Sequence, residues 1–511
     1  MNRARPLTLQ WCFLMAGVLA CETTVSEPAE DGIPVNVTAP GVSGAAQEGQ
    51  VVTGSDGVWE GTAPITYSRQ WKRCDAAGGA CTNIASATGT SYPLAAADVG
   101  FTLRVAVTAT NSVGSATAQS GPTGVVTALT PLPGTCPLLA SPPPGYCTGQ
   151  VYAVTPANMA IPTLNPGDVV VFEDGIYTDG NADGTVVMVQ QGGTASQYVT
   201  FVSRTKWGAK IDGQNNTARY GFNFAAVSYV RIEGFDIFGM GSTFVGTVAA
   251  PSASGIMIQA GGANSQLVGN HIHHISNFCN PTIRAQTGIF IQRGNVLVEG
   301  NVIHDLGRYD PGENGCTYPA GFNKFQNSDT GIYLQTPGHN NITIRNNIFY
   351  NHRNGFGVYF YQGSPTNVTI LNNTFAFGNP YRSQTHIFTD ADVVDLQIRN
   401  NIFYDPAGGY VMAWDLEPLV NVVITHNVAS GQLLISGADG SPVTTLPPGM
   451  TQSNNQFATN PLLVNPGAFD FHLQAGSPAI DAGMSIAEVT HDIDRRPRPQ
   501  GGGHDIGAYE F

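Results

Sequence analysis

The sequence predicts an all-β protein: a parallel β-helix makes up its larger part and a β-sandwich precedes it. Three observations carry this. First, a short β-branched run, an asparagine and an apolar pair recur together six times, at Asn270, Asn301, Asn347, Asn373, Asn401 and Asn427. Their spacings of 31, 46, 26, 28 and 26 residues describe a unit of 26–28 residues with insertions. Units of that length cannot bury an apolar face alone and become stable by stacking. Second, runs such as Asn341-Ile-Thr-Ile344 and Asn367-Val-Thr-Ile370 alternate with the period of a half-buried strand. Third, another strand recurs upstream, as Gly255-Ile-Met-Ile-Gln259, Gly288-Ile-Phe-Ile-Gln292, Gly331-Ile-Tyr-Leu-Gln335 and, more loosely, Gly357-Val-Tyr-Phe-Tyr-Gln362. No amphipathic helix separates these strands, and the period fits neither a propeller blade nor a leucine-rich repeat. Asparagine tolerates the left-handed backbone region, so each repeated asparagine is expected in a tight turn, with amides pairing along the stack.

Along the chain, residues 1–20 carry Arg3 and Arg5 before an apolar stretch, the form of an export signal too short to span a membrane. Val18-Leu-Ala-Cys21 resembles a lipobox, which makes Cys21 the expected lipidated residue; cleavage near Ala20 with Cys21 incidental is the alternative. Residues 21–32 are small, polar and acidic, suiting a tether. Residues 33–127 form the expected sandwich, with Trp71, Leu103, Val105 and Val107 as its core. They resemble bacterial immunoglobulin-like domains, which implies a spacer role. Residues 128–150 are proline-rich and read as a linker or as the cap over the first coil, residues 151–453 as the β-helix, and residues 454–511 as a C-terminal cap.

Net charge is −14, and −16 without residues 1–20, whose only charges are two arginines. A surface so acidic and so poor in lysine is a poor nucleic-acid partner, and an anionic polymer needs a locally basic groove. Outside the signal and Cys21, six cysteines suggest three disulfides in an exported protein: Cys74 with Cys81, Cys136 with Cys147, and Cys279 with Cys316. No His/Cys spacing suggests zinc.

The repeats, the opening Asn165-Pro-Gly-Asp-Val-Val-Val-Phe-Glu-Asp-Gly-Ile-Tyr177, Thr205-Lys-Trp-Gly-Ala-Lys-Ile-Asp212, and the closing Ser477-Pro-Ala-Ile-Asp-Ala-Gly483 and Asp505-Ile-Gly-Ala-Tyr-Glu510 resemble the right-handed parallel β-helix proteins of the pectate-lyase-like superfamily. The resemblance covers roughly residues 150–511 and implies the fold more than the activity, because the superfamily hosts lyases, hydrolases, epimerases and non-catalytic binders. It implies a polysaccharide as partner; the protein is expected to be a monomer that, through the lipobox, meets the membrane only by its lipid, at the cell envelope or surface or secreted. The expected activity is β-elimination on a uronic-acid polymer; a carbohydrate-binding adhesin, or a hydrolase or epimerase on the same fold, is the alternative.

The longest insertion, residues 307–327, and a neighbouring loop, residues 276–286, are where chemistry is expected. Superfamily lyases use Lys or Arg, with calcium or a second basic residue, so Lys324 is the expected base, with Arg293 and Arg308 on the carboxylate. Tyr333, Gln335, His352, Arg353, Tyr359, Tyr361 and Arg382 are the expected substrate contacts. Asp310, Glu313 and Asp329 are the calcium candidates, although no calcium-loop spacing is present. The paired aspartates of a polygalacturonase are absent; Asp390 and Asp392 come nearest but read equally as a turn. His273 and His304 share the repeat position of Tyr350 and Tyr404, which favours stacking; His352 and His386 lie outside that column.

Overall fold

The computed structural model describes residues 32–48, 50–127, 136–137, 139, 142–180, 183–241, 252–279, 286–309, 312–317, 329–335, 340–353, 355–378, 385–406, 410–414, 417–436 and 443–511. The signal, Cys21 and most of the tether lie outside these residues, as do Arg284, Asp310, Tyr318, Lys324, Tyr381 and Arg382. No helix among the described residues is long and apolar enough to cross a membrane.

The chain divides into two compact units, residues 1–129 and 130–511. In the first, Thr66–Cys74 pairs antiparallel with Thr102–Thr110, which pairs with Ser115–Gln119. Trp71 and Leu103 from this sheet pack with Val52 and Trp59 from the shorter strands in one core. Cys74 bonds Cys81 across the hairpin formed with Thr82–Asn83, so it staples neighbouring strands of one sheet.

In the second unit each coil gives one strand to each of three parallel sheets. The first sheet runs from Val151–Val154 to Met450–Ser453, the second from Gly175–Tyr177 to Val428–Ala429, and the third from Thr185–Val189 to Gln432–Ser436. Like sits over like: Ile232, Leu267, Val298, Ile344, Ile370, Ile398 and Ile424 are in register through the first sheet and buried. The glycine opening each third-sheet motif faces the lumen. A Cβ on Gly288 would stand 2.8 Å from the carbonyl oxygen of Gly331, so no larger residue fits.

The repeated asparagines form a buried amide ladder where the first sheet turns into the second. Asn301 donates its backbone N–H and its Nδ2 to Asn347 Oδ1, both at 2.9 Å, and donates Nδ2 to the Leu267 carbonyl at 2.9 Å. The pattern repeats from Asn270 to Asn427 and ends on a seventh member, Asn455. The turn reading needs correction on one point. The left-handed residue precedes the ladder asparagine: Gly269, Gly300, Asn346, Asn372 and Asn400 have φ of 63, 65, 54, 51 and 56°. That leaves the ladder side chains inside the coil, where a polar group must be fully paired.

The tail does more than close the end. Residues 477–508 run back along the outside of the second sheet, where Ala479, Ile493, Ile506 and Ala508 cover Ile348, Ala376, Ile402 and Val428. The turn asparagines hold this strap: Asn346 donates to the His491 carbonyl, Asn372 to the Asp505 carbonyl and Asn400 to the Met484 carbonyl.

His352 and His386 are buried inside the coil against Phe349, Phe375 and Phe403. Burial lowers each imidazole from the usual 6.5 to about 3. Both stay neutral in the fold and take up protons once unfolded below pH 6.5, so stability falls as pH drops from 6.5 towards 3. At pH 5.5 the two together should cost about 2–3 kcal/mol relative to pH 7.5. Urea unfolding at both values checks this, and the pH-dependent loss should shrink in the His352→Leu/His386→Leu double variant.

Candidate functional site

The outward face of the third sheet carries four of the seven residues expected to meet sugar: Tyr333, Gln335, Tyr359 and Tyr361. Strand register places Met257, Phe290, Tyr333, Tyr359 and Phe388 in one column across five coils. Beside it runs a polar row: Gln335, Tyr361 and Asp390 are in register, and Gln292 donates Nε2 to Gln335 Oε1 at 2.9 Å. The rings pack on one another, Phe290 stacked on Tyr333 at 5.3 Å and Tyr333 edge-on to Tyr359 at 5.1 Å. Tyr333 and Tyr359 are each 6% exposed, and burial raises both phenols well above their usual range. They are therefore a rigid platform, with Tyr359 Oη donating to Asp390 Oδ2 at 3.1 Å, and not the sugar-facing rings expected from the sequence. The half-buried groups at the surface are Gln292, Arg293, Gln335, Tyr361 and Asp390. Strand spacing of about 4.8 Å makes this row a ladder of donors and acceptors along the helix axis.

Several expected residues are placed elsewhere. Arg308 and Asp329 are both fully buried and grip one another, Arg308 Nε to Oδ2 at 2.9 Å and Nη2 to Oδ1 at 2.7 Å. Arg308 thus cannot meet a substrate carboxylate, and Asp329 cannot take calcium. Glu313 pairs with Arg353, whose guanidinium also lies 5.1 Å above the Tyr309 ring. The expected calcium set therefore does not fit: its two described carboxylates are committed to arginines, and Asp310 lies outside the described residues. Arg353 braces the loop rather than facing the polar row. His352 is corrected too, since it sits inside the coil.

These contacts nonetheless pin the described part of the long insertion. Arg308–Asp329 ties its stem to the third-sheet strand Asp329–Gln335, and Cys279–Cys316 joins it to the neighbouring loop. Lys324 belongs to that insertion, five residues before the strand that carries Tyr333 and Gln335.

Two further groupings were not legible as sites. On the outward face of the second sheet, Asp236 Oδ1 lies 2.8 Å from His271 Nδ1 and 2.9 Å from His273 Nε2. His273 and His304 do stack, 5.2 Å apart, as the shared column predicted, but Asp236 was missed because its coil has Phe235 where the others have asparagine. A cleft of about 350 Å³ lies beside the turn glycines Gly234, Gly269 and Gly300. Its charged groups are largely spent on neighbours: Arg204 on Glu173 and Asp494 on His472. Lys206 lines it with Nζ 4.6 Å from the Trp207 ring, and burial, helped by Arg495 and opposed by Asp494, lowers its pKa.

A family model described as the right handed beta helix region matches residues 174–403 and 313–457. No curated protein matches the chain. Among solved structures, the chain is 14% identical to a pectate lyase, covering 70% of this chain and 96% of that one, with a TM-score of 0.40. A mannuronic-acid-specific polysaccharide family 6 lyase from human gut microbiota is 12% identical over 60% of this chain and 86% of its own, TM-score 0.29. The tailspike of a Pseudomonas phage is 12% identical over 84% and 63%, TM-score 0.26.

Proposed function

We propose a function from one premise: the chain belongs to the right-handed β-helix family, its family match reaching from residue 174 to residue 457. On that scaffold it engages a polysaccharide laid along the outward face of the third sheet. The observation that carries this reading is the continuous row Gln292–Gln335–Tyr361–Asp390 over a packed aromatic platform. Amides, a phenol and a carboxylate at one-strand intervals suit the repeated hydroxyls of a polymer, and a platform that cannot rearrange keeps them preorganised.

The activity assigned to this face is β-elimination on a uronic-acid polymer. Arg293, next to Gln292 in the chain and held by its guanidinium on the Gln292 and Ala260 carbonyls, neutralises the uronate carboxylate. Lys324, in the long insertion by sequence, removes the C5 proton. The C5–H electrons form the C4–C5 double bond as the C4–O bond breaks, and the Tyr361 hydroxyl protonates the departing oxygen. No calcium is used in this scheme. Three disulfides fit an oxidising, exported setting, and the N-terminal sandwich, read as immunoglobulin-like, acts as a spacer behind a lipid anchor at Cys21.

The test follows ultraviolet absorbance of the unsaturated uronate during incubation with pectate, alginate and glycosaminoglycans. A rise with one polymer is expected, with Lys324→Ala slowing it about 100-fold or more, the usual worth of a positioned base. Binding of a polymer without any rise would leave the face as a carbohydrate-binding surface and remove the lyase chemistry.

A further inference from the structure

The Asp236–His271–His273 grouping sits on a different face from the proposed carbohydrate row, and its case is independent of that reading. Two consecutive coils of the second sheet supply it and the next coil backs it: Asp236 is in register with His271, and Phe238 with His273 and then His304. Each ring is fixed by a neighbour. Trp207 stacks on His271 at 4.7 Å, Phe238 on His273 at 5.2 Å, and Tyr350 on His304 at 4.4 Å. The side chains of Asp236, His271 and His273 are 12, 23 and 17% exposed, so the group is sheltered but open on one side.

The outer ring nitrogens are also engaged. His271 Nε2 faces His304 Nε2 at 2.7 Å, His304 Nδ1 faces Asp305 Oδ2 at 2.6 Å, and His273 Nδ1 faces His274 Nδ1 at 2.7 Å. A cation held by Asp236 Oδ1, His271 Nδ1 and His273 Nε2 would leave the outer ring nitrogens hydrogen-bonded as they stand, His271 donating Nε2–H to His304, His304 donating Nδ1–H to Asp305, and His273 donating Nδ1–H to His274.

We propose that Asp236 Oδ1, His271 Nδ1 and His273 Nε2 form a three-ligand site for a divalent transition metal of the zinc class, oriented by His304–Asp305 and His274 behind the ligands. Two imidazoles and one carboxylate are borderline donors that suit zinc, whereas calcium requires six to eight oxygens. Tetrahedral ligands at about 2.0–2.1 Å from zinc stand about 3.3 Å apart. The observed 2.8 and 2.9 Å separations reach that value with an opening of about half an ångström. The imidazole-to-imidazole-to-carboxylate chain behind His271 is the outer-shell arrangement that fixes a metal-bound histidine in its tautomer. The fourth position faces the open side and is left for water or another small ligand.

The test uses the whole protein without a histidine tag, stripped with a chelator and titrated with Zn2+ against a chromogenic chelator, with Ca2+ in parallel. One equivalent of Zn2+ and no competing Ca2+ is expected, and Co2+ should give the visible bands of a four-coordinate nitrogen–oxygen site. His271→Phe and His273→Phe keep the ring stacks and should each weaken Zn2+ binding at least about 100-fold, while Asp305→Asn should weaken it about 10-fold. His472→Phe, which removes a histidine lying between Asp470 and Asp494, should leave it unchanged. Should a phenylalanine variant misfold, the nearly isosteric Asp236→Asn serves in its place. No stoichiometric Zn2+ in the wild-type protein, or equal affinity in these variants, would overturn the site.

Discussion

Replacing Asn373 with leucine should lower the unfolding free energy by about 3–5 kcal/mol. Asn373 Oδ1 accepts both the backbone N–H and the Nδ2 of Asn347 at 2.9 Å, and its own Nδ2 donates to Asn401 Oδ1 and to the Ile344 carbonyl. All these groups are buried, so leucine fills similar space and strands donors and acceptors on both neighbouring coils. Each buried group left unpaired costs about 1–3 kcal/mol. The control is the second, exposed ladder, in which Asn341 Nδ2 donates to Asn295 Oδ1 at 2.8 Å and Asn367 Nδ2 to Asn341 Oδ1 at 2.7 Å. Glycine keeps the left-handed conformation of Asn341, so Asn341→Gly should cost no more than about 1 kcal/mol. Denaturant midpoints of the two variants measure the difference, and equal losses would show that burial is not what makes the inner ladder strong.

Arg308→Met should destabilise by about 3–5 kcal/mol, because it leaves the Asp329 carboxylate buried without its guanidinium. Asp329 accepts three hydrogen bonds from Arg308, including its backbone N–H at 2.9 Å, and neither side chain is exposed. Arg308→Met/Asp329→Asn should recover much of the loss, since the uncompensated charge is gone. The loss should also be local, with faster proteolytic cleavage within residues 307–328 before the coil itself unfolds. A single variant as stable as the parent would mean that the carboxylate is hydrated and the insertion is anchored otherwise.

The coil was readable because its ladder and its glycine corners recur at one spacing, and both have steric or hydrogen-bonding reasons to do so. The direction of the ladder side chains was not readable, because the pattern marks a turn without saying which of two adjacent residues takes the left-handed conformation. Asn346-Asn347 and Asn372-Asn373 make that ambiguity concrete: the first of each pair holds the C-terminal strap and the second enters the coil. The outward polar row of the third sheet was legible from alternation within Gly331-Ile-Tyr-Leu-Gln335, but the depth of Tyr333 was not, because alternation gives a face and not what covers it. His352 could have been placed correctly. It occupies the register position of Leu306, an apolar residue in the preceding coil, which marks that position as interior. Arg308 carried no such mark, since its partner Asp329 is 21 residues away across an insertion.

The most direct measurement is polysaccharide affinity of the parent protein beside Tyr361→Ala, Gln335→Ala and a control on the outward face of the first sheet, Thr343→Ala, across acidic and neutral polymers. One polymer should be retained, and the two third-sheet substitutions should each weaken its binding at least about tenfold, or about 1.4 kcal/mol, with the control unchanged. Binding that is unaltered by Tyr361→Ala and Gln335→Ala would contradict the assignment of the third-sheet face as the carbohydrate site.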